Sequence, residues 1–269
     1  MATESRETLE RSTTMTSAQS RRAFLWRGLA AAGGLVLAGC DKLSQSEWFP
    51  KVLSSAESLN RAAQKAITSR TSMAQEFSEA DRSPSFRSNG TSLPNDAQFQ
   101  TLAASNFESY WLLVDGLVAK PASFTLAQLR ALPSRTQITR HDCVEGWSAI
   151  AKWQGVPLSA LLAQVQPHAG ANYIVFHCAD PMSGTSSKYY ESIDMEDANH
   201  PQTILAYEMN DAALPVPNGA PLRLRVERQL GYKQAKYIMR IEVVSSFAHI
   251  AGGKGGYWED QGYEWYAGI

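Results

Sequence analysis

From residue 107 onward, apolar positions come in short runs closed by turn residues. Tyr110 to Val114 reads as a strand ended by Asp115-Gly116. Thr125-Leu126-Ala127-Gln128 has the form of a capping box, and the short helix it opens runs to Leu132 and stops at Pro133. Gln137 to Val144 alternates as a strand and runs into a Cys-Val-Glu-Gly loop. Leu158 to Val165 has helical spacing, entered at Pro157. Tyr173 to Cys178 is a strong strand, and Asp194 to Asn199 a short helix. Ile204 to Met209, Leu222 to Val226 and Tyr237 to Val244 read as strands, with turns at Asn210-Asp211 and Asn218-Gly219. Short strands with a few short helices between them predict an α+β domain rather than regular βαβ winding. Upstream, Pro84, Gly90 and Pro94 mark 83–98 as loop. Leu53, Leu59, Ala63 and Ile67 suggest one helix, Ser55 to about Ser69, within a polar tether over 41–82.

The first forty residues read as an address. A polar, hydroxyl-rich stretch leads to Ser20-Arg21-Arg22-Ala23-Phe24-Leu25 and then to an apolar run over 28–39. That run is too short for an ordinary membrane span and fits a secretory signal. The paired arginines resemble a twin-arginine export signal. Leu37-Ala38-Gly39-Cys40 resembles a lipobox, in which Cys40 is lipidated and becomes the mature N-terminus. Asp41 then resembles an inner-membrane retention signal, and several acyl chains on one residue make a stable anchor. The expected location is the periplasmic side of the inner membrane. Export of folded protein also favours a cofactor inserted before transport.

Composition narrows the chemistry. With 25 Lys+Arg against 26 Asp+Glu the formal net charge is −1, which gives no electrostatic case for nucleic acid. Three cysteines in 269 residues do not make a disulfide scaffold. The common nucleotide, zinc-protease, serine-hydrolase and c-haem motifs are absent. With Cys40 lipidated, Cys143 and Cys178 remain, and residue chemistry leaves three readings of Cys143: metal ligand, disulfide partner of Cys178, or buried thiol. Arg140 and His141 beside it would favour thiolate. Zinc is disfavoured, since paired Cys and His spacings are missing.

Several blocks in order resemble the sulfite oxidase superfamily, in particular its bacterial molybdopterin-dependent, methionine-sulfoxide-reductase-like branch. They are Cys143-Val144-Glu145-Gly146-Trp147-Ser148 with Trp153-Gln154-Gly155-Val156-Pro157-Leu158, then Leu205 to Asn210, Asn218 to Leu224, and Gly231 to Ile238. The closing Tyr257-Trp258-Glu259 and Gly262-Tyr263-Glu264-Trp265 are similar as well. The resemblance covers roughly 83–265. Together with the address and the tether, it gives three expected parts: a signal over 1–40, a tether over 41–82, and one molybdopterin-binding domain over 83–269.

The resemblance also implies roles. Cys143 matches the residue whose thiolate ligates molybdenum, the pterin dithiolene supplying the other sulfurs. The loop carrying Lys233, Gln234 and Lys236 matches one that grips the pterin phosphate, with both ammonium groups able to point at one anion. Arg223 matches a pterin-contacting Arg, and Asn218 stands where the family often has His. Arg87 and Asn89, in Phe86-Arg87-Ser88-Asn89-Gly90, resemble an upstream pterin contact. Glu145 stands where sulfite-oxidising relatives are richer in Arg. Burial near the metal would raise its pKa and make it a proton donor, with pairing to Arg140 or Lys152 as the alternative. Trp147 and Trp153 are expected in the core or pocket wall, Tyr257 and Tyr263 near the site mouth. Asp180-Pro181 and Met182-Ser183-Gly184 are expected to line that mouth.

The function so implied is two-electron oxygen-atom transfer on a small oxo substrate such as a sulfoxide, at a Mo-molybdopterin centre. With no haem motif in the chain, electrons would come from a membrane cytochrome or a small redox carrier. The rivals are a sulfite dehydrogenase and a cofactor-free binding lipoprotein; the latter predicts a Cys143–Cys178 disulfide.

Overall fold

The computed structural model describes residues 71–182 and 187–269, with scattered positions between 46 and 63. The export motif, the lipobox with Cys40, and Ser183-Gly184 lie outside the described residues. The chain divides into two compact units, Met1–Ala62 and Ala63–Ile269. In the first, Phe49, Val52, Ser55, Ala56 and Leu59 are helical, and the Val52 amide donates to the Trp48 carbonyl at 3.0 Å.

The second unit is built on two five-stranded sheets. One has the order β2-β1-β10-β5-β6, formed by β1 (Trp111–Gly116), β2 (Ala122–Thr125), β5 (Tyr173–Pro181), β6 (Lys188–Asp194) and β10 (Ile238–Val244). The other has the order β3-β4-β7-β8, with β9 also on β7; its strands are β3 (Arg135–Asp142), β4 (Ser148–Pro157), β7 (Ile204–Met209), β8 (Ala212–Ala213) and β9 (Arg223–Arg225). The first and last strands, β1 and β10, pair in parallel and close the domain. Over 71–182 and 187–269, the short α-helices α1 (Ala97–Ala104), α2 (Leu126–Ala131), α3 (Leu158–Val165), α4 (Met195–Ala198) and α5 (Tyr257–Asp260) complete this α+β fold.

Local chemistry explains most boundaries. Thr125 caps α2 with the expected box: Gln128 N–H donates to Thr125 Oγ1, and the Thr125 amide donates back to Gln128 Oε1. Leu158, Leu161, Leu162 and Val165 put the apolar face of α3 in the core, each worth roughly 1.5–3 kcal/mol of burial. One cluster joins Leu112, Val114, Phe176 and Ile241 of the first sheet to Val156, Leu205 and Leu224 of the second. Strands β2, β4, β6 and β8 have no counterpart among the sequence expectations. In β4 the inward Ala149, Ala151 and Trp153 alternate with Lys152 and Gln154, whereas β6 is buried on both faces and carries Glu191 and Ser192 inside. Residues 71–82, assigned by sequence to the tether, and Ser83 run beside the second sheet: the Phe77 amide donates to Ile138 and that of Ser83 to Ile150.

Candidate active site

The candidate site gathers at the ends of β3 and β5 and in the loops that follow β8 and β9. The β3–β4 ladder ends at Asp142 and Ser148, and the loop between them carries Cys143. That loop is tight. The Cys143 amide donates to the Trp147 carbonyl at 2.9 Å, and the Gly146 amide donates to the Cys143 carbonyl at 3.0 Å. Gly146 takes the left-handed conformation (φ +83°) that the turn requires.

Cys143 is a buried free thiol on the wall of a cavity of about 180 Å³. Asn89, Thr91, Asp180, Gln234 and Lys236 share that wall, and Val144, Met182, Tyr189, Tyr232, Trp258 and Tyr263 give it an apolar and aromatic side. Cys178 is also a free, buried cysteine, so the disulfide expected of a cofactor-free lipoprotein does not form. Burial pushes the Cys143 thiol up, while the Glu145 amide, Arg87 and Arg223 pull it down. The helpful field therefore does not come from Arg140 and His141 as expected. Arg140 is tied to Asp142, and burial, with Arg223 and Arg225 nearby, holds His141 well below its ordinary pKa and neutral.

Positive charge is buried behind Cys143. Arg223 is fully buried and lies over the rings of Trp153 (5.2 Å) and Phe86 (5.9 Å). Its Nη1 donates to the Asn218 carbonyl at 3.1 Å, but Nε and Nη2 have no partner. Burial, then the neighbouring Arg225, lowers Arg223 to about 9. Lys236 is lowered to about 7 by burial and by Arg223. Asn218 Nδ2, Asn89 Oδ1, His141 Nε2 and Asp180 Oδ1 are likewise buried without a partner. Gly219 (φ +115°) makes this packing possible, because a Cβ there would lie 3.0 Å from Lys236 Cβ and 3.2 Å from Arg223 Cβ.

Two expectations need correction. The ammonium groups of Lys233 and Lys236 do not converge on one anion. Lys233 Nζ sits between the carboxylates of Glu191 and Glu259, all fully buried or nearly so, and Lys236 Nζ donates to the carbonyls of Asn89, Thr91 and Pro217. Glu145 is exposed rather than buried: its Oε2 accepts from Trp147 Nε1 at 2.9 Å, because the loop tip turns outward after Cys143. Nor does it pair with Arg140 or Lys152, the latter being held by Glu79 and Asp211. Arg87 is exposed, with its guanidinium 5.9 Å over the Trp147 ring. Of the aromatic pair expected at the mouth, Tyr263 lines the cavity.

Sequence reasoning overlooked Thr91, Tyr189 and Tyr232, and the buried set around Arg225. Arg225 clamps Glu227 with Nε and Nη2 (2.9 and 2.6 Å) and donates from Nη1 to His141 Nδ1 (3.1 Å). The same Nδ1 also lies 3.3 Å from Gln234 Oε1, while Nε2 has no partner. Tyr189 lies in Lys188–Asp194, where buried polar residues hide the strand pattern, and its hydroxyl donates to the Tyr232 carbonyl. A larger groove of about 610 Å³ passes Trp111, Cys178 and Met239, but its charges are mutually paired, Lys188 with Asp96 and Arg240 with Asp115. Among the described residues, no three His, Cys, Asp or Glu are grouped to hold a metal ion.

Residues 99–249 match the family described as oxidoreductase molybdopterin binding domain. The chain belongs to that family, within the sulfite oxidase group, and is a molybdenum oxidoreductase whose cofactor is Mo-molybdopterin. It is 38% identical over 249 residues to "Putative protein-methionine-sulfoxide reductase subunit YedZ1" of Azospira oryzae, covering 93% of this chain and 88% of the relative. It is 32% identical over 216 residues to the protein-methionine-sulfoxide reductase catalytic subunit MsrP of Pseudomonas syringae pv. tomato, covering 76% of this chain and 59% of that protein. The MsrP of Ralstonia nicotianae is 40% identical over 140 residues, 49% of this chain and 42% of its own length. A solved sulfane dehydrogenase, SoxCD from Paracoccus pantotrophus, aligns over 52% of this chain and 39% of its own, with 26% identity and TM-score 0.48.

The residues fit this cofactor. A phosphorylated pterin dithiolene is anionic and rich in hydrogen-bonding edges. The cavity wall offers the Cys143 thiol; near that thiol but outside the lining, the buried Arg223 guanidinium keeps two unused N–H groups, and Asn218, whose carbonyl it bonds, keeps an unused NH₂.

Proposed function

We propose that this chain reduces sulfoxide-type substrates by two-electron oxygen-atom transfer. The carrying observation is a free, buried Cys143 on a cavity wall, with the buried Arg223 guanidinium nearby keeping two N–H groups unused. In this reading the Cys143 thiolate ligates molybdenum. Arg223, Asn218 and Asn89 hold the pterin through their unpartnered atoms, and Gln234 with the backbone of its loop shapes the phosphate end. Bound there, the cofactor supplies the two-electron oxo exchange. Lys236 fixes the 89–91 loop against the 217 loop through its three carbonyl contacts, so it sets the shape of the pocket.

A neutral substrate suits the mouth better than sulfite does. Val144, Met182, Trp258 and Tyr263 face it with apolar surface, and the carboxylate of Glu145 would repel a dianion. The names of the relatives, protein-methionine-sulfoxide reductases, support the same substrate class. We further propose twin-arginine export, anchoring through lipidated Cys40, and electron supply from a membrane cytochrome or small carrier. The purified, molybdenum-loaded protein should reduce methionine sulfoxide with reduced viologen. Oxidation of sulfite with no sulfoxide turnover would favour the sulfite dehydrogenase instead.

A further inference from the structure

Reduction of a sulfoxide consumes protons. The S–O bond breaks, sulfur gains two electrons from two equivalents of a reduced one-electron carrier of the viologen or haem type, and oxygen leaves as water with two protons. Glu145 cannot supply them as a buried acid, since it is exposed and its carboxylate is engaged by Trp147.

Strand β5 extends past Cys178 and brings a second carboxyl to the cavity. Asp180 is 5% exposed and shares the wall with Cys143. Thr91 and its own amide hydrogen-bond the carboxyl, yet Oδ1 has no partner. We propose that Asp180 is the proton donor to the departing oxygen, an inference that rests on the sulfoxide-reductase reading. One proton passes from the Asp180 carboxyl, which recovers it from solvent through the mouth, and water supplies the other.

Its surroundings suit the task. Lys236 and Lys188 face the group as cations, with Cys178, Tyr189 and Tyr237 around it as neutral titratable groups. Burial outweighs those cations and lifts the carboxyl to about 6, so it holds its proton below that pH and gives it up above.

The test compares wild type with Asp180→Asn and Asp180→Glu as molybdenum-loaded enzymes reducing methionine sulfoxide with reduced viologen. Asp180→Asn should keep its molybdenum and KM but lose roughly a hundredfold in kcat. Its rate should no longer fall as pH rises through 6, and Asp180→Glu should restore part of both. Independently of turnover, infrared difference spectra of wild type should show a protonated-carboxyl stretch that titrates near 6 and is missing from Asp180→Asn. Wild-type rate and pH profile in Asp180→Asn, or no such band in wild type, overturns the proposal. Wild type that does not reduce the sulfoxide overturns the sulfoxide-reductase reading, and this inference with it.

Discussion

Two buried clusters of charge lie on either side of the 231–236 loop, and they are built oppositely. Around Lys233, Glu191 and Glu259 supply the counter-charge in full. Burial pushes Glu191 well above the ordinary carboxylate range, with Lys233 pulling it down and Glu259 adding to the rise. Around Arg223 there is no carboxylate clamp: one backbone carbonyl is its hydrogen-bond partner, and the nearest charges include the cations Arg225 and Lys236. The contrast recurs within three residues of β9, where Arg225 is clamped by Glu227 and Arg223 is not. Buried charge that serves only the fold is neutralised by the chain. Buried charge left unpaired, at a cost in stability, is complementary to something the chain does not itself contain.

Substitution should separate the two clusters. Lys233→Met strands two buried carboxyls and should cost about 3–5 kcal/mol by denaturant unfolding. Arg223→Met removes an unpaired charge and should leave the cofactor-free protein at least as stable, while cofactor retention after gel filtration falls roughly 10–100-fold. Equal destabilisation by both would break the comparison. Gly219→Ala, forced into the left-handed region with its Cβ against Lys236 and Arg223, should cost about 1–3 kcal/mol and weaken cofactor retention together. A smaller effect comes from pH. The Lys236 pKa is lowered from 10.5 to about 7 in the fold, so between those values the unfolded chain binds more protons. Stability of the cofactor-free protein should rise from pH 7 to pH 9, and Lys236→Met should flatten that slope in denaturant titrations.

Much of the frame was legible from local pattern. The α2 cap, the α3 stripe and strands β1, β5, β7 and β10 all follow from short-range chemistry that tertiary packing did not override. Strand β6 was not, because Glu191 and Ser192 are stabilised inside by Lys233 and by the Gly255 carbonyl, partners distant in sequence. Cys143 stood out as a thiol in a distinctive block. No local signal separates Arg223 from Arg225 or Lys233 from Lys236, since whether a cation is paired depends on which carboxylates the fold brings to it. The burial of Asp180 and the exposure of Glu145 were illegible for the same reason: one depends on how far β5 extends, the other on which way a loop tip turns.

The central claim is that the Cys143 sulfur bonds to molybdenum. X-ray absorption at the molybdenum edge should show one fewer sulfur neighbour in Cys143→Ser than in wild type, with the cofactor retained. An unchanged sulfur count in that variant would contradict the account.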